Sequence, residues 1–280
     1  MSRKYNRENI NGLSFLNMLR AMVSHWNLIQ QMSKREILIR YKGSVLGVLW
    51  SVITPMVMLT IYTFIFSIVF KAKWAVSETQ SKYEFAIILF AGLLTHGFFA
   101  EVINKAPNII TGNVNYVKKV VFPLEILSFV NLLFCLFNTL LNILVLLVAI
   151  FVINKSLPVT IIYLPLVFTP LILLSLGFSW ILSSLGVYIR DISQGISIIT
   201  AILTFLSPIF YPISAVPEVL RPWLMLNPLS FIIEQMRDIL IWGKTPDFLG
   251  VLIYFICSSF IAWAGYVWFQ KTRKGFADVL

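Results

Sequence analysis

Twenty-eight consecutive residues, Gly43 to Phe70, carry no formal charge. Such a run exceeds the roughly 20 apolar residues that take a helix across hydrocarbon. The pattern recurs at Ile126–Asn154, Ser156–Ile189, Ile192–Pro217 and Phe248–Gln270, all uncharged. A shorter run, Phe85–Ala100, lies between Glu84 and Glu101 and reaches spanning length if Val102 and Ile103 continue the helix. A bilayer interior offers backbone groups no water, so each run must satisfy its own hydrogen bonds, as a helix does. The expected fold is an all-α integral membrane protein with six transmembrane helices, at about 43–70, 85–103, 126–152, 160–189, 192–212 and 248–270. Composition argues against a soluble helical protein. Only 12% of residues are charged, against about 25% in soluble domains.

The first run starts too late and is too long for a cleaved leader, whose apolar core spans about 7–15 residues. Cys135 and Cys257 sit inside apolar runs and read as packing residues. His25 and His96 stand alone, so no metal site is expected.

Six spans place both termini on one side of the membrane. The segments on that side hold 15 of the 22 Lys and Arg residues, the opposite side 7. The positive-inside bias therefore puts residues 1–42 and the tail 271–280 in the cytoplasm. The net charge of +10 reads as orientation and contact with anionic lipid. Nucleic-acid binding is not expected, because no soluble basic domain is present.

Ahead of the first span, Leu16, Leu19, Met22, Val23, Trp26, Ile29 and Met32 recur at spacings of three and four. That pattern predicts an amphipathic helix over Leu13–Met32, lying in the interface plane or packed on a protein face. Lys34, Arg35, Arg40 and Lys42 follow at headgroup depth. Gly43 and Gly47 lie one turn apart, where small residues let helices approach closely. Pro55 removes a helix hydrogen bond and can bend the span. Tyr62, Phe66 and Phe70 share one face of its far half.

The segment 213–246 has a different grammar. Pro208, Pro212, Pro217, Pro222 and Pro228 break any continuous helix around its start. The uncharged run Pro222–Ile233 is too short to cross, so it reads as re-entrant or interfacial. Asn227-Pro228 is a helix-start signal, followed by a half-apolar helix over Leu229–Trp242. Glu234, Arg237 and Asp238 on that helix are costly at membrane depth unless paired or wet.

Three stretches together are distinctive: "RYKGSVLGVLWSVITPMVMLTIYTFIFSIVF", "NKAPNIITGNVNYVKKVVFPLEIL" and "SPIFYPISAVPEVLRPWLMLNPLSFIIEQMRDILIWGKTP". In order and spacing the chain resembles the membrane (permease) subunits of ABC-2 type exporters for lipid-linked polysaccharides, of the O-antigen, capsule and teichoic-acid kind. The resemblance implies a non-catalytic subunit of a bacterial inner-membrane transporter. It also implies a homodimer, working with a separate ABC ATPase subunit that binds ATP and Mg²⁺. The chain has no phosphate-cradling loop of its own. Gly243-Lys244-Thr245 imitates the end of one, but Asp238 stands where its first glycine belongs.

The same resemblance makes the cytoplasmic loop 104–123 a coupling segment. Asn108, Lys118 and Lys119 are its expected contacts with the ATPase. The segment 213–246 becomes an outer gate with Glu234, Arg237 and Asp238. A polysaccharide exporter needs surfaces along which sugar slides, and aromatic faces offer apolar contact without directional grip. Tyr62, Phe66 and Phe70, with Phe205, Phe210 and Tyr211, are the expected channel residues. Arg40 and Lys42 would receive the pyrophosphate of a polyprenyl-linked substrate. Two alternatives remain on the sequence alone. One is a related permease for a small drug, haem or lipid. The other is a membrane enzyme on polyprenyl-linked sugars, for which Glu101, Glu125 and Asp191 would be the cytoplasmic-side carboxylates.

Overall fold

The structure is a computed structural model and describes residues 15–70, 74, 84–118 and 122–280. Among these residues there are helices and connecting turns but no strand. Five helical stretches are long and apolar enough to cross a membrane: Gly47–Phe66, Glu84–Lys105, Ile126–Asn154, Val159–Tyr188 and Phe248–Val279.

The amino-terminal region forms α1 (Phe15–Ser24) and α2 (Trp26–Tyr41), separated at His25, where the backbone leaves helical geometry. The expected single amphipathic helix is thus two. Its apolar stripe is also divided. Met18 and Ile29 are buried in the bundle core, with Met22 and Met32 packed against it, whereas Val23 is 75% exposed. Protein packing, not lipid alone, takes up this stripe.

Gly43 and Gly47 have φ of +82° and +52°. A Cβ on either would meet nothing within 4 Å. In this chain they turn the backbone between α2 and the first span, a conformation that suits glycine. Within this chain neither glycine makes the close helix approach expected from their spacing; both serve the turn. Span one is α3 (Trp50–Tyr62), containing Pro55 and extended by a wider helical turn over Thr63–Val69.

Span two, α4 (Glu84–Lys105), is the centre of the bundle. Its apolar window is 78% buried, against 6% for the first span. The next elements are two short helices, α5 (Asn108–Thr111) and α6 (Val114–Lys118). Span three is α7 (Ile126–Asn154), and span four is α8 (Leu164–Tyr188) with its leading turn Val159–Tyr163.

After α8 comes α9 (Ile192–Leu206), which has only 15 residues. At 1.5 Å per residue it covers about 22 Å, short of the roughly 30 Å hydrocarbon core. It stops where Ser207 turns extended and Pro208 follows. Segment 213–246 forms α10 (Arg221–Leu226) and α11 (Pro228–Arg237), continued by a wide turn over Asp238–Trp242. The last span, α12 (Phe248–Thr272), leads into the short α13 (Phe276–Val279).

The tightest helix crossing joins α8 and α12. A Cβ on Gly177 would lie 2.6 Å from the Ile261 carbonyl oxygen, and one on Gly265 would collide with the Gly177 carbonyl. Glycine on both sides lets the two backbones touch, the packing logic of helices in lipid. At the end of α8, a Cβ on Gly186 would strike the Pro107 carbonyl, so the start of segment 104–123 rests directly on α8.

Candidate translocation path

A polar groove begins at the basic end of α2. Arg40, Tyr41, Ser44, Trp50, Ser51, Thr54, Glu101, Asn138 and Asn142 surround a cavity of about 390 Å³. A second cavity of about 280 Å³ adjoins it, sharing Thr54, Pro55, Glu101 and Asn142 and reaching Met58, Tyr62, Leu93 and Gly97. Together they run from the end of α2, between α3, α4 and α7, up to Tyr62.

Next to Tyr62 lies a cluster of packed aromatic rings. The Phe66 ring lies 5.8 Å from Phe85 and 6.2 Å from Phe210. Phe210 in turn stacks on Phe205 at 5.6 Å, and Phe70 meets Phe66 edge-on at 5.8 Å. Two clusters separated by about 140 positions in sequence are thus one aromatic array. Tyr211 is turned differently. Its hydroxyl donates to the Phe205 carbonyl at 3.0 Å and holds the turn after α9. Phe70 and Phe205 are largely exposed, at 67% and 70%.

The mouth of the groove separates Arg40 from Lys42. Arg40 Nη1 approaches Glu101 Oε1 at 3.2 Å across the groove. Lys42 lines a shallow depression on another face of α2 with Gln31, Lys34, Arg35 and Ile39. One turn of helix explains this, since positions two apart point to different sides. Glu101, Asn138 and Asn142 are the groove residues that sequence reasoning missed as a set. They come from two helices, and no local spacing joins them.

Segment 213–246 is built around Arg237, fully buried. Its Nε donates to the Ile88 carbonyl at 3.2 Å, Nη1 to Pro208 at 2.6 Å and Nη2 to Ile209 at 3.0 Å. Glu234 accepts a further bond from Nη1 at 2.7 Å, and the guanidinium lies 4.3 Å over the Trp74 ring. Burial lowers the Arg237 pKa to about 10, with Glu234 opposing the fall, so it stays charged at neutral pH. Burial also raises the Glu234 carboxyl, again against the attraction of Arg237. Asp238 does not join this group. It lies 3.9 Å from Lys244, and burial raises its carboxyl too.

Asn227 fastens the start of α11. Its Oδ1 accepts from the Leu229 amide at 3.0 Å, a capping bond, while Nδ2 donates to Ser207 Oγ at 2.9 Å. The turn after α9, carrying Phe210, is thereby tied to the start of α11, and Arg237 ties it again through Pro208 and Ile209.

Between spans two and three, Asn108 opens α5 and is exposed, and Lys118 ends α6, also exposed. Lys119 lies outside the described residues. Ile109 and Ile110 bury the underside of α5, and Tyr116 stacks on Phe122 at 4.4 Å. No three His, Cys, Asp or Glu side chains converge as a metal site among the described residues.

A family model described as ABC-2 type transporter matches residues 27–241. The chain belongs to the ABC-2 type transporter family. This ABC-2 chain is 26% identical over 256 residues to an O-antigen export system permease protein RfbA from Klebsiella pneumoniae, covering 91% of this chain and 95% of that one. It is 24% identical to the RfbA of Myxococcus xanthus, covering 94% and 99% of the two chains. It is also similar to the polysialic acid transport protein KpsM of Escherichia coli, at 26% over 78% of this chain and 83% of that one.

Proposed function

We propose that this ABC-2 chain is the transmembrane subunit of an ATP-driven exporter that moves a lipid-linked, O-antigen-like polysaccharide across the bacterial inner membrane. The observation that carries the reading is a pair of adjoining cavities, polar around Arg40, Glu101, Asn138 and Asn142 and increasingly apolar towards Tyr62, with the packed Phe66–Phe210–Phe205 array next to it. A headgroup needs charge and amides at its point of loading, whereas a passing sugar chain needs faces that do not hold it. The relatives' names, O-antigen export and polysialic acid transport, support the same cargo class.

In this reading two copies form the conduit, each contributing one groove. The first span, with so little of its surface covered by its own chain, faces the partner copy or lipid. Closed two-fold symmetry is the commonest solution for two identical subunits. A separate ATPase subunit, binding ATP and Mg²⁺, docks on α5 and α6 through Asn108, Lys118 and Lys119. The helix α9 with the turn beyond it completes a sixth span, leaving both termini cytoplasmic. Residues 213–246 close the outer side as a gate fastened internally by Arg237 on the Ile88, Pro208 and Ile209 carbonyls, with Glu234 as an accessory partner. Arg40 is the receiver of the substrate's phosphate groups, and Lys42 draws anionic headgroups to the adjoining face of α2.

The test is reconstitution of this chain with its ATPase in vesicles loaded with a radiolabelled polyprenyl-linked polysaccharide. Export of the polymer requires both subunits and ATP hydrolysis. Movement of cargo by this chain without a nucleotide-hydrolysing partner overturns the reading. So does ATP-driven export of small amphiphiles with the polymer left behind.

A further inference from the structure

Three hydrogen-bond donors converge on a single carboxylate oxygen at the mouth of the groove. Glu101 Oε1 accepts from Arg40 Nη1 at 3.2 Å, Lys105 Nζ at 2.9 Å and Asn138 Nδ2 at 3.1 Å. The donors come from α2, α4 and α7, so they meet only in the folded chain. Beneath them lies the Phe134 ring, 3.8 Å from Lys105 Nζ and 5.2 Å from the Arg40 guanidinium carbon. The cations are reachable, with Arg40 49% and Lys105 38% exposed at their side chains, while Glu101 is 27% exposed. The other nearby carboxylate, Glu36, lines the neighbouring cavity with Lys105 and Asn104 instead. Burial raises its carboxyl, with Lys105 opposing, so it is a weaker competitor for that lysine.

Two cations and an amide around one oxygen are the surroundings that a phosphate oxygen takes. Half-exposed ion pairs contribute little to stability, at most about 1 kcal/mol. A ligand with more charge than a carboxylate can therefore displace one. We propose that Arg40, Lys105 and Asn138 form a binding site for a phosphate-bearing headgroup, and that Glu101 is its resident stand-in, displaced when the headgroup arrives. This rests on the exporter reading and deepens it. Glu101 keeps the site closed to weakly charged anions. Its displacement also releases the Arg40 tie that joins α2 to α4, so loading the groove frees the interface helix.

The test turns on the sign of one substitution. The full chain in zwitterionic nanodiscs is titrated with radiolabelled, sugar-free polyprenyl diphosphate. Glu101→Gln keeps the shape and the acceptor oxygen but removes the competing charge. It should tighten binding about fivefold, the effect of losing an exposed ion pair's worth of competition. Arg40→Gln and Lys105→Gln should each weaken it. If Glu101 is only a structural tie, Glu101→Gln leaves affinity unchanged or lowers it, and the proposal is overturned. Repeating the titration with phosphatidylglycerol separates the two sources of phosphate. A Glu101→Gln gain confined to the phospholipid would overturn the assignment to substrate. Polymer export that persists without the Glu101→Gln gain defeats the stand-in alone. A gain without polymer export defeats the exporter reading and leaves the site standing.

Discussion

Gly92 on α4 exists to make room for Arg237. A Cβ placed on Gly92 would sit 2.7 Å from Arg237 Nη2, and the guanidinium cannot retreat without losing its bonds to the Ile88, Pro208 and Ile209 carbonyls. Gly92→Ala should lower stability in detergent by about 2 kcal/mol, the scale of a disrupted buried network. In an Arg237→Met background the same change should cost much less, because the obstructing group has gone. A double-mutant cycle on thermal unfolding midpoints measures this coupling. Additive effects would show that the two residues do not meet.

Glu234 is the dispensable partner of the pair. Arg237 has three carbonyls and the Trp74 face besides it, whereas burial penalises the Glu234 charge more than Arg237 repays. A carboxyl whose folded pKa lies above its unfolded value contributes stability that is full at pH below the unfolded value. That stability is lost as pH rises through the raised folded value. Asp238 shifts the same way and adds to the effect. Wild-type protein should therefore lose stability through these groups as pH rises above the ordinary carboxylate range. Glu234→Gln should flatten part of that slope and be at least as stable as wild type at pH 7.5. Unfolding midpoints at pH 5 and 7.5 decide it. A Gln variant much weaker than wild type at pH 7.5 would count against the argument.

The sequence made some of this legible and hid the rest for physical reasons. Charge-free runs mark helices, because lipid excludes unpaired polar groups, and the starts at Ile126 and Phe248 agree with the structure. Asn227-Pro228 announced its helix, since capping is local chemistry. Other features depend on partners far along the chain. The acceptors of Arg237 lie up to 149 positions away, and the donors to Glu101 come from three helices. Gly43 and Gly47 illustrate the opposite trap. Their spacing suggested close packing, yet a positive φ gives glycine the same sequence signature.

The aromatic array predicts two kinds of phenylalanine. Phe66 touches Phe70, Phe85 and Phe210, so Phe66→Leu should cost about 1 kcal/mol of stability as well as impairing export. Phe205 is mostly exposed and stacks only on Phe210 among the described residues. Phe205→Leu should leave the unfolding midpoint nearly unchanged while still slowing polymer export. Tyr62→Leu, at the junction of groove and array, should impair export with normal assembly. Export assays alongside thermal unfolding separate the two effects. Full export by the Tyr62→Leu, Phe66→Leu double variant would remove these rings from the path.

The contact between Gly186 and Pro107 gives the proposed coupling segment a second handle, outside its own sequence. The Pro107 carbonyl rests on the Gly186 backbone, immediately ahead of α5 and Asn108. A methyl group at Gly186 meets backbone, which cannot swing aside as a side chain would, so the turn must lift from α8. Alanine is otherwise favourable in a helix by up to about 1 kcal/mol over glycine, which offsets part of the clash. Gly186→Ala should therefore leave the bundle folded but move Asn108 and Lys118 relative to α8. ATPase co-purification should fall severalfold, and transport-linked hydrolysis should fall with it. Replacing 108–118 with a Gly/Ser linker should abolish co-purification altogether. If both variants retain the ATPase at wild-type levels, the docking surface lies elsewhere on the cytoplasmic face.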